Sequence, residues 1–335
     1  MKYLLIVILI LLPAITIPAA GTAADLKCEK MNPGIQSLKV MNMQPLRRGK
    51  VWLEGEPVTV FQTSCDLYGL KNAETEYHQK SLVRKTLFVY RSREEAKAVC
   101  EARKSEEKLT STFSEEARSS LDDFCRKYRK KDFDAVLIYD ASPGSASATP
   151  IRQVFRLYNS KGFPSEEYEF DPAAALETRT GYKYDPKNNL TEKTDYDPGE
   201  RQLRRETYAS DKITASRTVS FFNENNQLAK KKVQEYREDG TLRREQVMTY
   251  DDAEQVLGRT ETACGAKGAR ETELVFQGDL EKPVYEYRYS YKFDKKGNWI
   301  EERKTKLALY EDKRFEDPKV APEITKREIA YYSKP

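Results

Sequence analysis

The chain holds one histidine, His78, and that single imidazole bounds its chemistry. A serine or cysteine nucleophile activated through imidazole would have to recruit it. Its neighbours, Glu76-Tyr-His-Gln-Lys80, carry no such signature, and a surface imidazole is the reading they favour. Histidine-rich metal centres are excluded, and no Asp-x-Asp-x-Asp-Gly calcium loop occurs. The acidic pairs Asp122-Asp123 and Asp251-Asp252 read as solvated. No Gly-x-x-x-x-Gly-Lys or Gly-x-Gly-x-x-Gly run is present to cradle a phosphate. No cofactor and no metal are therefore expected. Glycoside hydrolysis needs only two carboxylates at a set separation, and 54 acidic residues leave that reaction open without nominating a pair.

What the sequence does offer is rings. In Val284 to Phe293, Tyr285, Tyr287, Tyr289, Tyr291 and Phe293 alternate with Val284, Glu286, Arg288, Ser290 and Lys292. Alternation of period two is a strand, with all five rings on one face. Trp299 follows just past the turn Asp294-Lys-Lys-Gly297. Exposed, the four tyrosines and Trp299 would form a binding surface that stacks on sugars or docks a partner strand. Buried, they would simply be core.

Five cysteines are the other reactive groups. None has Cys-x-x-Cys spacing, so zinc and thioredoxin-type readings are weak, and in an exported chain they read as disulfide candidates. Cys100 and Cys125 fall on the apolar stripes of two consecutive helices, so a bridge between them would lock an antiparallel hairpin. Cys28 with Cys65 is the second expected pair, and Cys264 is left free or intermolecular.

Export is read from the amino terminus. Lys2, the apolar run Leu4 to Leu12 and the small residues Ala19 to Ala24 describe a secretory signal peptide over residues 1–24. No second apolar run has the length of about 20 residues that a membrane helix needs, so no transmembrane segment is expected in the mature chain. Charged residues make up 33% and hydrophobic ones 39%, which would suit disorder were it not for 21 tyrosines and 13 phenylalanines. The balance of 58 basic against 54 acidic residues is too even to imply a nucleic-acid partner.

Two regions follow from the patterning. Residues 25–150 read as a small α+β domain, with strands over Val51 to Phe61, Ser81 to Tyr90 and Asp132 to Asp140. Between the last two, the capping boxes Ser92-Arg-Glu-Glu95 and Thr112-Phe-Ser-Glu115 open a helical hairpin. The stripe Ala117, Leu121, Phe124, Cys125 and Tyr128 is the buried face of its second helix. Ala141 to Pro150, rich in Ser, Ala, Gly and Pro, marks the boundary.

Residues 151–335 are a β-repeat. Aromatic residues recur at 158, 170, 184, 196, 208, 222, 236 and 250, at intervals of 12 or 14, nearly all followed by a turn-forming cluster. That beat is one strand plus one turn, so a predominantly antiparallel β-meander is expected. Tyr184-Asp-Pro-Lys-Asn-Asn-Leu-Thr191 and Phe293-Asp-Lys-Lys-Gly-Asn-Trp299 resemble the YD repeats of bacterial Rhs-type exported proteins, over residues 158–307 at most. The resemblance implies an exported β-repeat architecture with carbohydrate or protein contact, and transfers no catalytic residue. The expected function is that of a non-enzymatic cell-envelope or secreted protein, periplasmic or released, presenting a β-sheet surface for binding or scaffolding. A carboxylate-based glycoside-active enzyme and a purely structural envelope protein are the alternatives.

Overall fold

A computed structural model describes residues 35–49, 51–66, 70–109, 120–145, 149–278, 281–310, 313–316 and 318–332. The expected signal peptide, Cys28 and the capping box at Thr112 to Glu115 lie outside these residues. Five strands and two helices come first: β1 (Ile35–Arg48), β2 (Val51–Cys65), β3 (Lys71–His78), β4 (Ser81–Arg91), α1 (Arg93–Leu109), α2 (Ser120–Tyr128) and β5 (Phe133–Asp140). Next are β6 (Arg152–Tyr158), β7 (Pro164–Phe170), β8 (Leu176–Tyr184), β9 (Leu190–Tyr196), β10 (Gln202–Asp211), β11 (Ser216–Phe222) and β12 (Leu228–Tyr236). The chain ends with β13 (Leu242–Tyr250), β14 (Val256–Cys264), β15 (Arg270–Gln277), β16 (Tyr285–Phe293), β17 (Trp299–Tyr310), β18 (Lys313–Glu316) and β19 (Glu323–Tyr331).

Every strand pairs antiparallel with its neighbour in sequence, from β1 to β17. β19 pairs with the first half of β17 on one side and with β1 on the other. The sheet thus closes into an 18-strand barrel, with β18 a short addition on the second half of β17. This corrects the expected α+β domain followed by a separate meander. β5 and β6, on either side of the Ala141 to Pro150 loop, are hydrogen-bonded partners in one wall, and the helices are an insertion between β4 and β5. Strand patterning predicts local pairing, whereas closure depends on β1 meeting β19 almost 300 residues later, which no local signal reports.

The 12-or-14-residue beat has a specific cause. In the turn after β8, Asp185 N–H donates to Asn189 O at 2.9 Å and Asn188 N–H to Asp185 O at 2.9 Å. The Asp185 carboxylate accepts the N–H groups of Lys187 and Asn189, and Asn188 takes a left-handed φ of 64°. The same backbone pattern recurs at Asn159, Asp171, Asp197, Asn223, Arg237, Asp251, Gly265 and Asp294. It is a type I turn closed by a bulge, in which the fourth residue must accept positive φ. Each aromatic sits at that bulge opposite the residue six places on, as in Tyr184↔Leu190, Tyr236↔Leu242 and Phe293↔Trp299. Tyr208, the one beat without such a turn, lies within β10.

Handedness decides which face of the wall is inside. Ala141 N–H bonds Lys85 O and Gly278 N–H bonds Leu257 O, so on the even-numbered strands the side chains on the face opposite the tyrosine row, those of Lys85 and Leu257 among them, belong to residues bonded to the following strand. For L-residues that places the following strand to the right of an upward strand when those side chains face the viewer. Followed round the ring, the register returns displaced by about 20 residues, and the slope agrees with the fixed twist of β-sheets only if that viewer stands outside. Tyr285, Tyr287, Tyr289 and Tyr291 belong to the other set and line the inner wall. Glu167, Thr180, Lys193 and Asp195 lie on that same face and are buried. Eighteen strands at a typical tilt near 40° give a backbone radius of roughly 17 Å, enough for an open lumen.

The helices lie on the outer wall. The first capping box forms as expected: Ser92 N–H donates to Glu95 Oε2 at 2.8 Å and Glu95 N–H to Ser92 Oγ at 3.3 Å. Ala96 and Cys100 of α1 and Leu121, Phe124, Cys125 and Tyr128 of α2 pack on Phe133, Ala135, Phe155, Leu157, Tyr168 and Phe170. The Cys100–Cys125 disulfide joins the two helices. Tyr128 Oη donates to Glu166 at 3.1 Å, and Tyr168 Oη reaches the same carboxylate. Away from this sector β10, β12 and β13 contain no buried residue.

Candidate functional site

The tyrosine row is positioned by β16, whose period-two alternation puts all its rings inward while Glu286, Arg288, Ser290 and Lys292 point outward. Nine residues at about 3.3 Å each carry it most of the way between the two rims. The four tyrosines and Phe293 are half-buried, neither packed away as core nor fully open. The Asp294 turn sets the register with β17, and the bulge at Phe293↔Trp299 turns Trp299 inward beside Tyr291, with ring centroids 6.1 Å apart. All five expected binding residues are therefore brought to one inner lane.

The lane has two unlike halves. Toward the rim where β16 begins, Lys306 Nζ stands 4.1 Å over the Tyr285 ring and Lys304 Nζ 4.0 Å over Tyr287. Those two rings meet edge to face, 5.3 Å apart. Further along, Tyr289 and Tyr291 are parallel to within 9°, with centroids 6.5 Å apart. Tyr291 Oη donates to Glu302 at 2.8 Å, and Arg270 of β15 hydrogen-bonds Tyr289. At the far end the Arg327 guanidinium lies 3.4 Å over Trp299, and Lys267 Nζ 4.4 Å over Phe293.

Burial holds the phenols of Tyr287, Tyr289 and Tyr291 neutral. It pushes Tyr287 up to about 12 and Tyr289 and Tyr291 higher still, the Glu302 carboxylate adding to the effect on Tyr291. Neutral phenols offer hydroxyl donors and ring faces, not nucleophiles.

Sequence reasoning missed the cations. Lys304, Lys306, Arg327 and Arg270 come from three other strands, and only the register brings them over the rings. Part of that signal was present: pairing outward from the Asp294 turn places Lys304 opposite Tyr289 and Lys306 opposite Tyr287. Arg327 depends on barrel closure.

The remaining expected residues fall elsewhere. Cys100 and Cys125 are bridged on the outer wall, Cys65 is disulfide-bonded, and Cys28 lies outside the described residues. Cys264 is free and buried, in the position that the repeats give to an aromatic ring, opposite Arg270. His78 is exposed at the end of β3. Among the described residues no group of three His, Cys, Asp or Glu side chains could hold a metal ion, and no helix is long and apolar enough to cross a membrane.

No protein-family model and no curated protein matches the sequence. Among solved structures the chain is similar to a porin-like protein from Bacteroides uniformis, at 7% identity, over 88% of this chain and 98% of that one, with a TM-score of 0.40. It is also similar to a chain of the Photorhabdus luminescens Tc holotoxin pore, at 9% identity, over 84% of this chain and 18% of that one, with a TM-score of 0.16. A third similarity is to TcdB2-TccC3 without its hypervariable C-terminal region, at 9% identity, over 78% and 18%, with a TM-score of 0.14. Similarities of this strength assign neither fold nor function to the chain.

Proposed function

We propose that the protein is a non-enzymatic, exported barrel that stands in water and binds a carbohydrate on the aromatic lane of its inner wall. A second reading, a protein strand docked on the same lane, is less favoured because β16 is already paired with β17 from Tyr285 to Phe293 and with β15 from Tyr285 to Arg288.

The observation that carries the proposal is the combination of charge on both faces of the wall with rings on one stretch of it. A lipid-facing barrel needs an apolar outer band. Here the outer face carries Lys231, Arg244, Arg259, Lys292, Arg303 and Lys326, one on each of six strands. Each Lys or Arg at a bilayer midplane costs about 2–4 kcal/mol, so six together oppose insertion by more than ~10 kcal/mol. The outer wall is suited to water, and the half-exposed inner rings are the part of the wall suited to an amphipathic ligand.

Flotation with phosphatidylcholine–phosphatidylglycerol vesicles tests the first half. The folded, signal-free chain should stay in the aqueous fraction without detergent; co-flotation resistant to carbonate and high salt would overturn it. For the second half, Trp52→Phe leaves Trp299 as the one tryptophan, because the chain has two. Its fluorescence should change saturably with an oligosaccharide series and lose that response in Tyr289→Ala/Tyr291→Ala. A response to no saccharide would remove the lane from consideration.

A further inference from the structure

We infer that the lane selects acidic saccharides, linear uronate-containing chains, over neutral ones. The inference rests on the reading of the lane as a saccharide site and adds the charge of its ligand.

Its two halves ask for different chemistry a short distance apart. The faces of Tyr289 and Tyr291 are parallel, and among the described residues no cation stands over either, so they can take the C–H face of a pyranose ring. The faces of Tyr285 and Tyr287 are occupied by Lys306 and Lys304. A neutral sugar stacking there would have to displace an ammonium held by the ring. A carboxylate need not, because it meets the ammonium on the side away from the ring. Lys304 is shared with Glu323 at 3.4 Å, whereas Lys306 has no carboxylate partner among the described residues. Open ring faces followed by cation-capped ones suit a chain of sugar rings bearing carboxylates.

A single-stranded nucleic acid also combines flat faces with anions. The carboxylates of this wall argue against it. Glu302 lies on the Tyr291 hydroxyl, and Glu323 lies beside Lys304. The hydroxyls that each uronate ring carries beside its carboxylate can donate to these oxygens, whereas a phosphodiester brings an anion with no donor of its own.

The test uses the full signal-free Trp52→Phe chain, titrated with oligogalacturonate, with its carboxyl-reduced neutral counterpart and with a single-stranded oligonucleotide of matched charge. Oligogalacturonate should bind at least tenfold more tightly than the neutral oligomer, and the preference should shrink with added salt. Lys306→Ala should abolish most of the preference without abolishing binding of the neutral oligomer. Because Lys306 sits on the inner wall, far-ultraviolet circular dichroism and elution volume check that the variant keeps its fold, and Lys306→Arg should restore the preference. Equal binding of acidic and neutral oligomers would overturn the inference while leaving the saccharide reading intact. Tighter binding of the oligonucleotide would also overturn it, and no binding of any probe would overturn both.

Discussion

The barrel is built by two different methods in two parts of its wall. From β5 to β8 the outer face is covered by α1 and α2, and Phe133, Phe155, Leu157 and Phe170 are 0–1% exposed. From β10 to β17, among the described residues, no helix lies on either face, and side chains hold one another in pairs across neighbouring strands. Arg205 lies over Phe222 at 4.2 Å and Arg259 over Phe276 at 4.0 Å. Arg244 meets Glu261 at 2.7 Å, and Gln234 meets Glu245 at 2.7 Å. The first sector gains stability from area removed from water, the second from many small cross-strand terms of tenths of a kcal/mol to about 1 kcal/mol each. The chain is 33% charged, and the closed ring carries the bare part of the wall by leaving no unpaired edge along most of its height.

The contrast is sharpest at single rings. Phe155→Ala, inside the clad sector, should cost about 3–5 kcal/mol, because it leaves a cavity among packed aromatics. Phe222→Ala, half-buried in the bare wall, should cost roughly half of that or less, since water can fill the space. Urea unfolding of both variants measures the difference. Equal losses would mean that the bare wall is packed from a side on which no layer is visible.

The Cys100–Cys125 bridge closes a loop of sequence separation 25 and should be worth roughly 3 kcal/mol to the clad sector. Cys100→Ser/Cys125→Ser should therefore raise hydrogen exchange in α1, α2 and the outer-face strands β5 to β7, and leave β11 to β14 unchanged. Non-reducing peptide mapping checks the bridge itself. Exchange that rises equally around the ring would show one cooperative unit in place of two sectors.

Much of this was legible in the sequence, for identifiable reasons. The Ser92 capping box, the stripe Leu121, Phe124, Cys125, Tyr128 and the one-faced row on β16 are local patterns, and each formed. The turn rhythm was legible because most repeats place an Asp or Asn at the start of the turn, Arg237 and Gly265 being the exceptions, and a residue in positive φ at its fourth place. Closure was not legible. Met41↔Lys326 and Glu301↔Lys326, the pairs that join β19 to β1 and β17, carry no hydrophobic alternation to announce them. Nor was the use of cations as ring covers: Arg327 over Trp299 follows only from closure.

The smallest expected effect separates the sectors by sign. Burial on the inner wall of β7 pushes the Glu169 carboxyl up to about 7, despite the Arg152 guanidinium at 2.6 Å. Its unfolded value is near the ordinary 4.5, so between pH 7 and 4.5 the folded form takes up a proton that the unfolded form does not. Stability of the clad sector should therefore rise as the pH falls through that window and level off below it. The turns of the bare wall behave oppositely. Asp197 and Asp211 are held below the ordinary carboxylate range by the N–H groups of Arg201 and Ile213, and Asp239 by the Thr241 hydroxyl and N–H. What they contribute is present above their unfolded value near 3.8 and is lost as the pH falls through their lower folded values. Hydrogen exchange corrected for intrinsic rates, at about pH 8, 6 and 3, reads both sectors in one experiment. Protection in β5 to β8 should increase from pH 8 to 6, and Glu169→Gln should remove that increase. Protection at the ends of β10 to β13 should be flat over the same interval and fall only at pH 3. A single profile shared by all strands would show that the wall responds to pH as one body, its clad and bare parts joined more tightly than their packing suggests.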